Sequence, residues 1–179
     1  MGSVWDADAV LGQRDWTVEA LYAAGFRHFQ PRKRLVMARE LGRARTVRTA
    51  DGALQARPGD MLCYRPDEQI RAHPEEHEHW PVRRDLFEKN YRPWDEQLPD
   101  LADLPLFFQA GCSAWYKHGG VWARRLTTRQ IIQSLESAAP VQVAAGQWLL
   151  IGSAGEPWHM NDAAFRSRYR EASDTAGPN

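Results

Sequence analysis

Pro58-Gly59-Asp60-Met61-Leu62 is followed by Trp80-Pro81-Val82, then Phe87, then Tyr91. Further on, Gly146-Gln147-Trp148-Leu149-Leu150 is followed by Trp158-His159-Met160, then Phe165, then Tyr169. In both blocks the phenylalanine stands seven residues after the tryptophan, and the tyrosine four after the phenylalanine. The echo extends upstream: Val36-Met37-Ala38-Arg39-Glu40-Leu41 aligns with Val121-Trp122-Ala123-Arg124-Arg125-Leu126, and Leu54-Gln55-Ala56 with Val141-Gln142-Val143. A period of roughly 80 residues is too long for a solenoid repeat and suits two small domains or two halves of one.

Working outward, alternation over Leu35–Arg39 suits a strand, and Asp51-Gly52 is a tight hairpin signal between arms at 46–49 and 53–57. Pro58-Gly59-Asp60 turns the chain into a short buried strand over 61–64. Residues 80–82 form a closing strand and 85–91 a short helix whose Phe87 and Tyr91 share a face. Thr17–Ala24 has helical spacing and stops at Gly25. In the second block, Thr127-Thr128-Arg129-Gln130 reads as a capping box that opens a helix reaching about Ser137. Strands follow at 141–143 and 148–151, and Asn161 caps the last helix. Pro93, Pro99 and Pro105 among acidic residues read as a linker.

With Lys33-Arg34-Leu35-Val36 added, the first block resembles the PGDYG-type small bacterial and phage proteins, whose hallmark is a Pro-Gly-Asp-aromatic strand, an aromatic-Pro strand and a short Phe…Tyr helix. Tyr116-Lys117-His118, Gly146-Gln147-Trp148 and Gly155-Glu156-Pro157-Trp158 resemble a degenerate second copy. Met61-Leu62 replaces the usual aromatic, and Gln147 the usual Asp. The resemblance implies architecture and carries no established activity.

The expected fold is therefore α+β: two small, strongly twisted, barrel-like antiparallel β units with short helices, related by pseudo-twofold symmetry. The expected divisions are an N-terminal arm and helix at 1–29, a first unit at 30–93, a linker at 94–113, a second unit at 114–172 and a disordered tail at 173–179.

The 179 residues suffice for a real core, and 23 basic against 23 acidic side chains supply no global field for nucleic acid or membrane. Two cysteines point to a reducing cytoplasm rather than a disulfide framework. No apolar run is long enough to span a bilayer, and Met1-Gly2-Ser3-Val4-Trp5-Asp6 lacks the basic and apolar regions of a signal peptide.

Three clusters carry candidate chemistry. His73-Pro74-Glu75-Glu76-His77-Glu78-His79 places His77 and His79 on one face if the segment is a strand, which suits two imidazoles on one metal; a solvated, charge-rich loop with no metal accounts for the composition more simply. The eight tryptophans supply flat contact surface for a pocket, an interface or a core. Eight cations between Arg27 and Arg48 face one acid, Glu40, a patch able to hold phosphates or to pair with acids elsewhere. Arg39 and Arg124 occupy matching places. Cys63 reads as a buried small hydrophobe, whereas Cys112, after Gly111, is better placed for exposure.

These observations favour a non-catalytic binding module for a small polar or anionic ligand or a partner protein. Its expected lining, in a crevice between the halves, is Arg39, Arg124, Trp80 and Trp158, with no cofactor and no bound metal. One alternative is a small enzyme using the His73–His79 loop as metal ligands or general base. The other is a nucleic-acid binder using Arg27–Arg48.

Overall fold

The computed structural model describes residues 9–49 and 52–172. In chain order the elements are β1 (Val10–Leu11), α1 (Val18–Ala23), β2 (Arg27–Pro31), β3 (Val36–Glu40), β4 (Arg45–Thr49), β5 (Gly52–Ala56), β6 (Met61–Arg65), a 3-10 turn (Pro74–Glu76), β7 (Glu78–Val82), α2 (Arg84–Asn90), β8 (Tyr91–Pro93) and α3 (Leu104–Gln109). Then follow β9 (Ser113–Lys117), β10 (Val121–Arg125), β11 (Gln130–Ile132), β12 (Val141–Val143), β13 (Trp148–Ile151), β14 (Pro157–Met160), α4 (Asp162–Arg168) and β15 (Tyr169–Glu171).

The chain forms two compact units, one continuous over 33–118 and one split between the residues up to Arg32 and those from Gly119. This differs from the division expected at 30–93, 94–113 and 114–172. The supposed linker holds α3, whose Leu104 and Phe107 are buried. Pro105 sits in the first turn of that helix, where a missing N–H costs nothing. Residues 9–15 of the expected arm include β1, which pairs in parallel with β11. The expected tail at 173–179 lies outside the described residues.

In the continuous unit the sheet order is β7-β6-β3-β9-β8, all antiparallel. Residues alternate between its faces. Val36, Ala38 and Cys63 meet Phe87 and Tyr91 on one side. On the other, Met37, Leu62 and Tyr64 meet Val47 of the β4–β5 hairpin and Phe107 of α3. Phe107 is wholly buried, and burial of a side chain this size contributes roughly 2–3 kcal/mol.

In the split unit the order is β14-β13-β10-β2-β15, again antiparallel. Val121, Ala123 and Leu150 face Phe165 and Tyr169. The opposite face packs Leu149 and Ile151 against Leu21, Phe26, Ile132 and Val143. Helix α1 starts because the Thr17 side chain accepts a bond from Ala20 N at 3.1 Å, and α4 because Asn161 does the same for Ala164 N at 2.8 Å.

The two glycine turns are built alike. Gly59 N donates to Leu41 O at 2.7 Å, and Leu41 N to Asp60 O at 2.8 Å. Gly146 N donates to Leu126 O at 2.8 Å, and Leu126 N to Gln147 O at 2.8 Å. Both glycines have φ of 88°, a backbone state costly for any residue with a Cβ. The Asp60 carboxylate additionally accepts from Arg57 N at 2.8 Å.

Two expectations are corrected. The sheets are open, ending at β7 and β8 and at β14 and β15, so neither closes into a barrel. Helices and short strands cover their faces, so apolar surface is buried without the edges meeting, and Pro81, Pro93 and Pro157 lie on edge strands that tolerate proline. The helix expected from Thr127 to Ser137 is instead β11, held between β1 and β12. Gln130 and Ile132 point inward and Ile131 does not, a two-residue period that tertiary pairing favours over the helical one.

Candidate functional site

Arg39 projects from β3 on the face of Met37. Its Nε donates to Tyr64 Oη and its Nη2 to Glu75 Oε1, each at 3.1 Å. Tyr64 Oη donates to the same carboxylate oxygen at 3.1 Å, and Arg45 Nη1 stands 3.9 Å from it. Desolvation pushes the Tyr64 phenol up to about 12, which keeps it a donor. The cluster ties the loop before β7 to the sheet. Arg124 Nη1 donates to Ala24 O at 2.8 Å, and its guanidinium stands 5.7 Å from the Phe26 ring, tying the end of α1 to β10. Burial lowers the pKa of that guanidinium.

Trp80 and Trp158 lie on the other faces of their sheets. Trp80 packs beside Cys63 with the Arg65 guanidinium 5.4 Å from its ring, and Trp158 packs with the cluster containing Phe165 and Tyr169. Within a unit, the sheet therefore separates Arg39 from Trp80, and Arg124 from Trp158.

The histidines of 73–79 diverge. His77 is buried, with Nε2 2.9 Å from Asp103 Oδ2, Nδ1 3.4 Å from Asp67 Oδ1, and Phe107 at 5.0 Å between ring centres. His79 Nδ1 donates to His77 O at 2.8 Å. His73 opens the 3-10 turn, and its N–H and that of Ala72 donate to Glu76 Oε2, bonds that lower the carboxyl's pKa. Among the described residues no three His, Cys, Asp or Glu side chains form a metal-holding group.

The basic patch is dispersed. Arg27 and Arg32 belong to the split unit and the others to the continuous one. Lys33 binds Asp95 and Glu96, and Arg39 binds Glu75. Cys112 is buried rather than exposed, because Gly111 turns the chain back into the core beside Phe107; desolvation pushes its thiol up to about 11.

The split unit carries an open groove of about 500 Å³ between α1, β2, β10 and the end of β15. Its walls are Tyr22, Trp122 and His28, with Arg27 and Glu171 at the rim and Val18 and Ala172 completing the lining. Trp122 stands 5.1 Å from Tyr22, nearly perpendicular, and 5.1 Å from His28. The Arg27 guanidinium lies 5.6 Å from the Tyr22 ring. Tyr22 is 50% exposed, high for a ring beside two other aromatics. Burial lowers the His28 pKa, keeping the imidazole neutral at pH 7. A Cβ at Gly120 would fall 2.5 Å from His28 Nε2, so the ring uses space that only glycine leaves.

Sequence reasoning missed Tyr22, Arg27, His28 and Glu171 as a group, because two distant segments supply them. Trp122 among the tryptophans was the available signal. No helix of the described residues is long and apolar enough to cross a membrane. Comparison with protein-family models, with curated proteins and with solved structures found no match to this chain.

Proposed function

We propose that the protein is a non-catalytic binding module that takes a small, partly flat polar or anionic ligand in the groove of the split unit. The observation that carries this is the exposed Tyr22 ring beside Trp122 and His28, with a cation at the rim. Aromatic walls give flat contact area, and the Arg27 guanidinium offers directed donors to an anionic group. Several other groups suited to proton or nucleophile chemistry are engaged away from the groove: His77 with Asp103, Tyr64 with Glu75, and both thiols in the core with burial raising their pKa.

The same reading treats the units as two copies of one PGDYG-like element. The shared sheet order, the matching glycine turns and the stacked Phe87–Tyr91 and Phe165–Tyr169 pairs support it. One copy carries the Arg39–Tyr64–Glu75 tie, and the other the groove. Two free, buried thiols accord with a reducing cytoplasm.

The test is a metabolite screen by tryptophan fluorescence followed by calorimetry. Saturable binding that falls at least tenfold in Trp122→Leu and several-fold in Arg27→Gln is expected. Binding indifferent to both substitutions overturns the assignment.

A further inference from the structure

The groove of the split unit has a filled counterpart in the continuous unit. On β10 and β2, Trp122 pairs with His28, and Ala172 N then donates to His28 O at 3.1 Å, giving the cross-strand row Trp122, His28, Ala172. On β3 and β9, Met37 pairs with Ala114, and Trp94 N donates to Ala114 O at 3.0 Å, giving the row Met37, Ala114, Trp94. Each row lies on the sheet face that its own helix, α1 or α3, covers. The large ring stands at the edge of the row in one unit and at its inner end in the other.

In the continuous unit the edge place is occupied from within the chain. Trp94 packs against the core that contains Leu104 and Phe107, stands 6.3 Å from Tyr116 and has the Lys33 ammonium 5.4 Å from its ring. In the split unit the same place belongs to Ala172, whose methyl group is too short to reach over His28, and there the groove opens. Glu171 and Arg27 flank it, where the continuous unit has Pro93 and Ser113 at the matching register.

We propose that the groove is a slot for a small molecule bearing a planar ring system of indole size and a carboxylate, the ring taking the place that Trp94 holds in the continuous unit. This rests on the binding-module reading above and names the ligand's chemistry. The ring would stack against His28 and Trp122 with Tyr22 at its edge, an arrangement aromatic groups favour, and Arg27 would take the carboxylate.

The experiment titrates the full chain with indole-3-acetate and with indole by calorimetry. Saturable binding of indole-3-acetate is expected. Ala172→Trp, which supplies the missing ring from the chain, should weaken it at least tenfold while leaving the circular dichroism unchanged. Arg27→Gln should weaken indole-3-acetate several-fold and leave indole unaffected. Tyr22→Ala, on the exposed side of α1, gives an independent loss of affinity if Ala172→Trp fails to fold. Equal affinity in Ala172→Trp and wild type, or in Tyr22→Ala and wild type, overturns the proposal. If aromatic acids fail to bind while another metabolite binds and is lost in Trp122→Leu, the indole assignment falls and the groove reading stands.

Discussion

His77 and Asp103 stand 26 positions apart in sequence and 2.9 Å apart in space, the imidazole side chain wholly buried. Asp103 Oδ2 also accepts from Arg71 N at 2.8 Å, so one carboxylate fastens two points of the 66–77 loop to the start of α3. Removing the ring leaves a buried carboxylate short of a partner. His77→Ala is expected to cost about 2–4 kcal/mol of stability. His79→Ala, at a half-buried ring bonded only to a loop carbonyl, should cost about 1 kcal/mol or less. Urea unfolding of the two variants checks this; similar midpoints would contradict the role given to His77.

A chain of residues 33–118 should fold alone, because every strand of its five-stranded sheet lies within it. A chain of residues 30–93 should not. It lacks β9, the strand between β3 and β8, and with it α3 and Phe107. Cooperative thermal unfolding and amide dispersion in NMR spectra distinguish the two. A folded 30–93 fragment would contradict the sheet order described.

Neither thiol should react with a disulfide reagent in the folded protein at pH 8. Cys63 and Cys112 are buried, and desolvation raises both pKa values, that of Cys112 to about 11. Because the thiolate is the nucleophile, both stay protonated as well as hidden. Two thiols per chain should appear on adding denaturant; rapid labelling of one without denaturant would refute this.

His28 gives stability a pH dependence of known sign. Desolvation depresses its folded pKa, so its share of stability is complete above the ordinary imidazole value of about 6.5. As pH falls below that value, the unfolded chain takes up a proton that the folded chain resists, and stability is lost down to the folded pKa. His28→Gln should flatten this part of the profile, measured by urea unfolding between pH 7.5 and 5. An unchanged slope would assign the dependence to another group.

The glycine turns, helix α1, the capped α4 and the short helices carrying Phe87 and Phe165 were legible because local chemistry determines them, although Tyr91 and Tyr169 open strands β8 and β15 instead of belonging to those helices. Gly59 and Gly146 adopt a backbone that other residues avoid, and Thr17 and Asn161 each bond three residues ahead. Helix α3 was hidden by Pro105, which punctuates a linker and opens a helix equally well. Ile131 and Ile132 fit two periods, and only pairing with Val141–Val143 decides between them. The Arg39 tie needed Glu75, whose place depends on how a loop returns to the sheet. The groove was illegible because Tyr22, Trp122 and Glu171 meet only through strand pairing across most of the chain's length.

That pairing sets an order for folding during synthesis. Pro31 of β2 faces Tyr169 of β15, and His28 faces Trp122 of β10. Strand β2 therefore waits for β10 and then for β15, while residues 33–118 complete a sheet of their own in the interval. Until β10 is made, β2 has no neighbour on either side, and Phe26 waits longer still for Ile132, Val143 and Leu149. The α1–β2 segment is thus apolar chain left uncovered while the continuous unit folds, and a stretch for a chaperone to hold.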